Sequence, residues 1–157
     1  MDADLRRHDG GSTEESIISA AGITKIDDLT RPDHSYLTAA DVCYFLGEYT
    51  ARKGFAFSAT NQLIFNLKKG MERQGRPEWP HKARTTQRVA EALRTALNDR
   101  ARQTMTFVPV PLSKAKTDPL YDDRLVQVLH DLWPGQATDV RVMPQRRRSR
   151  EGRRRAR

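Results

Sequence analysis

Apolar residues recur at helical spacing in four stretches of this chain, with a short apolar run ahead of the last. Val42, Phe45, Leu46 and Tyr49 fall at i, i+3, i+4 and i+7, one face of a helix that Thr38 would cap and Gly54 would end. Phe55-Ala56-Phe57 bridges to a second helix, capped by Ser58 or Thr60. Leu63, Ile64, Leu67 and Met71 line one side of it, and Lys68, Lys69, Glu72 and Arg73 surround its end. Gly75, Pro77 and Pro80 then break the chain around Trp79. A third helix is expected from about Lys82 to Arg102, with Val89, Ala92, Leu93, Ala96 and Leu97 at helical spacing.

The run Thr106-Phe107-Val108-Pro109-Val110 reads as a buried strand that breaks at Pro111 into a polar loop holding Ser113, Lys114 and Lys116. Asp118-Pro119 reads as a helix start, because Asp accepts from orphan amides and Pro suits N1. That helix would run to about Leu132, burying Leu125, Val128, Leu129 and Leu132, with Trp133-Pro134-Gly135 as its stop. Val140-Arg141-Val142 suggests a second strand. A strand, a loop with two lysines and a helix N-terminus suit an anion, which points to a phosphate-bearing small molecule or pyrophosphate. The expected fold is α/β or α+β, with N-terminal helices packed on the first strands of a truncated parallel sheet. A polar arm (1–35), the domain (36–143) and an Arg-rich tail (144–157) divide the chain.

Charge is unevenly spread. Residues 144–157 hold eight Arg and one Glu, a net of +7 out of the formal +8, so the other 143 residues carry about +1. The basic pI describes a tail, not a basic body. Cys43, among Val42, Tyr44, Phe45 and Leu46, is the only cysteine, which excludes an intramolecular disulfide and reads as a buried thiol. No apolar run approaches the roughly 18 residues that span a membrane, and the N-terminus is not a signal peptide, so a cytoplasmic protein with no membrane partner is expected. His8, His34, His81 and His130 show no metal-ligand spacing. Ser58 and Ser113 have no nearby His-acid pattern, which argues against a hydrolase nucleophile. Trp79 and Trp133 read as core lids, and Arg52-Lys53 as solvent-exposed.

The segments Tyr44 to Gly54 (YFLGEYTARKG), Ser58 to Ile64 (SATNQLI), Arg76-Pro77-Glu78-Trp79, and Phe107 to Pro111 through Tyr121-Asp122-Asp123-Arg124 together resemble phosphoribosyltransferase-like proteins. The relatives are those of the competence-associated amidophosphoribosyltransferase-like group, and the likeness covers about residues 36 to 142. The resemblance implies that the loop Pro111 to Lys116 contacts pyrophosphate, with Ser113 and Lys114 the best candidates and Lys116 and Arg124 further ones. Basic groups there would neutralise charge on departing pyrophosphate. A complete relative would use a magnesium complex of phosphoribosyl pyrophosphate and transfer the phosphoribosyl group to a nitrogen nucleophile.

Such enzymes carry a later loop of the type Asp-Asp-x-x-Thr-Thr-Gly that holds the ribose hydroxyls and the 5′-phosphate. This sequence lacks it, since Asp122-Asp123 is followed by Arg124-Leu125-Val126 and falls within the expected helix. Only 25 residues follow Leu132, too few for another strand-helix-strand unit of about 30 residues beyond the tail. The expectation is a truncated, catalytically incomplete transferase-like protein with no demonstrable cofactor of its own. The change at Pro144 is what a shifted reading frame in GC-rich DNA would produce. The alternative reading is a nucleic-acid-binding protein whose tail grips phosphate backbones through Arg146, Arg147, Arg148, Arg150, Arg153, Arg154 and Arg155.

Overall fold

The structure, a computed structural model, describes residues 22–143. In chain order the elements are β1 (Thr24–Lys25), β2 (Tyr44–Phe45), α1 (Ala59–Leu67), α2 (Pro80–Ala96), α3 (Asp99–Thr104), β3 (Thr106–Phe107), α4 (Arg124–His130) and β4 (Asp139–Val140). Short 3-10 turns occupy Arg31–Asp33, Phe55–Phe57 and Met71–Arg73. The architecture is mixed α/β. β1 pairs antiparallel with β2, and β3 pairs parallel with β4.

The helix expected between Thr38 and Gly54 does not form. Asp41 accepts from the Thr38 amide and hydroxyl, both at 2.7 Å, and folds the start into a turn. Arg31 Nη1 donates to the carbonyl of Thr38 at 2.7 Å, the acceptor that residue 42 would need in a helix. Local side-chain bonds of this kind outcompete a helical ladder. Tyr44–Phe45 instead joins Thr24–Lys25, and the Ile26 amide donates to Cys43 O at 2.9 Å. Ile26 is buried, so the described part of the N-terminal arm belongs to the fold. Cys43 is half-buried rather than buried.

α1 forms where the sequence places it. Ser58 is extended, and its hydroxyl accepts from the Asn61 amide at 3.0 Å as an N-cap. Asn61 is fully buried and ties the preceding loop to the helix. Its Oδ1 accepts from the Thr50 amide at 3.1 Å, and its Nδ2 donates to the carbonyls of Thr50, Lys53 and Gly54 at 3.1–3.3 Å.

The expected third helix divides in two. Leu97 turns extended, and Asn98 Oδ1 accepts from the Ala101 amide at 3.2 Å to start α3. Buried Ala90 and Ala96 keep α2 slim where it packs on α1 and α4. Beyond α3, Val128, Leu132 and Trp133 are buried, and Phe107 meets Trp133 at 5.7 Å between ring centroids.

The β3–α4–β4 unit is the parallel strand-helix-strand expected, with two corrections. The strand covers only Thr106–Phe107, and Val108 and Val110 are 50% and 74% exposed. The last rung is the Arg141 amide donating to Phe107 O at 2.9 Å. Pro109 has no N–H to continue the ladder. Asp118-Pro119 makes a turn, not a helix start: Asp118 Oδ1 accepts from the Leu120 amide and Asp118 O from the Tyr121 amide, each at 2.8 Å. α4 begins after Asp122-Asp123, which therefore lie in front of the helix.

Candidate functional site

Residues just past the carboxyl ends of both parallel strands line a cleft of about 490 Å3. Pro109, Val110, Pro111 and Leu112 follow β3, and Val142 and Met143 follow β4. Leu125 and Val126 of α4 form an apolar wall, while Lys116, Thr117, Tyr121, Asp122 and Asp123 supply polar groups. In open α/β sheets this crevice is where ligands bind.

The sequence-derived candidates separate on inspection. Lys116 is exposed and lines the cleft. Ser113 is exposed, and neither it nor Lys114 is among the lining residues. Lys114 pairs with Asp118 at 3.8 Å across the loop. Arg124 is turned inward: Nη1 donates to Leu67 O at 2.9 Å, and Nε lies 3.1 Å from Asp122 Oδ2. Its charge serves packing between α4 and α1.

Sequence reasoning missed the cluster behind the cleft. Lys82 Nζ lies 2.5 Å from Asp122 Oδ2 and donates to the carbonyls of Leu67 at 3.1 Å and Lys69 at 2.7 Å. Lys82 and Arg124 thus converge on the C-terminal end of α1, where carbonyls lack helical partners and the dipole is negative. Burial pushes the Lys82 ammonium below its usual pKa, with the Asp122 carboxylate pulling the other way. Asp122 also accepts from the Arg124 amide at 3.0 Å, which starts α4. One signal pointed here. The buried stripe of α2, Ala90, Thr86 and Thr85, leads back at helical spacing onto Lys82.

The cleft's two carboxylates differ. Asp122 is flanked by two cations, so those three residues carry +1 together. Asp123 is half-buried and accepts from the Gln127 amide group. Asp123 offsets that +1, leaving the four residues neutral together, and Lys116 is the cation lining the cleft; the apolar walls suit a sugar or ring face.

No group of three or more His, Cys, Asp or Glu is placed to hold a metal among the described residues, and no described helix is long and apolar enough to cross a membrane. Arg146, Arg147, Arg148, Arg150, Arg153, Arg154 and Arg155 lie outside the described residues. No family model, curated protein or solved structure matches the chain.

Proposed function

We propose that the chain binds a phosphate-bearing small molecule in the β3–α4–β4 cleft, as a phosphoribosyltransferase-like protein that does not itself complete the transfer. One observation carries the reading: the loop after β3 opens a cleft at the carboxyl ends of two parallel strands, with Lys116 on its rim. A parallel pair with a helical crossover directs its loops to one end, and loop amides with a lysine there make an anion site. Arg124 takes no part in ligand binding; Lys116 is the principal cation. Ser113 and Lys114 act through the shape of the loop. The 157 residues contain no Asp-Asp-x-x-Thr-Thr-Gly loop, so binding without turnover is expected.

The test is isothermal titration of the full chain with phosphoribosyl pyrophosphate and with pyrophosphate, alongside a transfer assay with ammonia and glutamine as nitrogen sources. Binding that Lys116→Ala weakens, with no transfer, is expected. Magnesium-dependent turnover would overturn the second half of the proposal, and affinity indifferent to Lys116 the first.

A further inference from the structure

The body's positive charge is concentrated where no ligand has been assigned. Residues 48–76 hold six Arg and Lys against two Glu, a net of +4, while the 143 residues ahead of Pro144 total only about +1. The rest of the body is therefore net negative. On this basic segment a second cleft, again about 490 Å3, is lined by Tyr49, Phe55, Phe65, Lys68, Lys69 and Arg73, among others.

Three of these are aromatic, and none is covered. Tyr49, Phe55 and Phe65 are 43%, 48% and 43% exposed. Phe65 is the hub, 6.4 Å from Tyr49 and 6.3 Å from Phe55 between ring centroids. Phe57, 53% exposed, adjoins them in sequence with Lys53 Nζ 5.7 Å from its ring centre. Lys68 Nζ stands 5.5 Å from the Tyr49 ring centre. Asn61 ties the loop between Tyr49 and Phe55 to α1, which carries Phe65, through the carbonyls of Thr50, Lys53 and Gly54. Glu72 is the single acid lining the cleft against Lys68, Lys69 and Arg73, and Arg73 Nη1 also donates to Glu78 at 3.2 Å, which leaves Lys68 and Lys69 as the principal cations.

Large exposed aromatics in a cluster need an occupant. A purely apolar partner would leave the lysines unmatched, and a simple phosphate would leave the rings unused. We propose that this face binds single-stranded nucleic acid, its bases stacking on Phe65 and its neighbours and its phosphates paired by Lys68 and Lys69. The site is separate from the β3–α4–β4 cleft and does not depend on the function proposed there.

The experiment uses the full chain with an end-labelled oligothymidylate of about a dozen nucleotides. Fluorescence anisotropy measures affinity, and photo-cross-linking with bromodeoxyuridine in the oligonucleotide locates the contact. Cross-links on the peptides carrying Tyr49, Phe55 or Phe65 are expected. Phe65→Leu, which keeps apolar bulk but removes the ring, should weaken binding about fivefold or more, the loss of one stacked base. Lys68→Ala, an exposed change, should lower the log–log salt slope by about 0.7. Cross-links confined to residues 144–157, affinity unchanged in both variants, or equal displacement by polyglutamate would each overturn the proposal.

Discussion

At the scale of single residues, Lys82 and Asp122 matter more than the candidates the sequence offered. Their pair is buried, and removing one member strands the other. Asp122→Ala leaves two cations at the end of α1 without a carboxylate, and a loss of about 3–5 kcal/mol is expected from denaturant midpoints. The exposed Lys114–Asp118 pair should be worth at most about 1 kcal/mol by the same measurement. The pH response follows from the directions of the shifts. Burial lowers the Lys82 pKa below 10.5, so the native state releases that proton before the unfolded chain does. Its contribution to stability therefore rises with pH between the lowered value and 10.5, and Lys82→Met should remove that slope. Asp41 gives a slope of the same sign at the acid end. The Thr38 amide and hydroxyl hold its carboxyl below 3.8, so its stabilisation is present above that value and is lost as pH falls through the lowered pKa. Asp41→Asn should flatten the dependence of unfolding stability on pH in that acid window.

At the scale of elements, legibility tracked how local the determinants are. α1 could be read because Ser58 and Asn61 lie within one turn of its start, and Ser58→Ala should cost about 1 kcal/mol on thermal or denaturant unfolding. The strand-loop-helix-strand order from Thr106 to Val140 was also legible, since proline, the charged loop and Trp133-Pro134-Gly135 punctuate it. The stretch Thr38 to Gly54 was not. Its helical spacing is real, but Arg31 and Thr24–Lys25, distant in sequence, take its backbone groups. The same limit concealed Arg124, whose acceptor Leu67 O is 57 positions away. Asp118-Pro119 failed for a local reason: the same composition serves a helix start or a turn, and Asp118 Oδ1 takes the Leu120 amide to close a turn. Val110 illustrates the reverse error. It was expected in a buried strand, yet it is 74% exposed at the cleft, so Val110→Ser should change stability by no more than about 0.5 kcal/mol.

At the scale of the whole molecule, two clefts of similar size divide the chemistry. One sits beyond the parallel strands, with apolar walls and Lys116 at its rim; the other is an aromatic and basic face on α1 and its flanking loops. The most direct test of the first is chemical-shift mapping of the full chain with pyrophosphate, repeated on Lys116→Ala. Shifts in the amides of residues 112–117 and 121–123 that vanish in the variant are predicted. Shifts absent from those residues, or unchanged by removing Lys116, would contradict a phosphate site in the β3–α4–β4 cleft, whatever happens at Lys68 to Arg73.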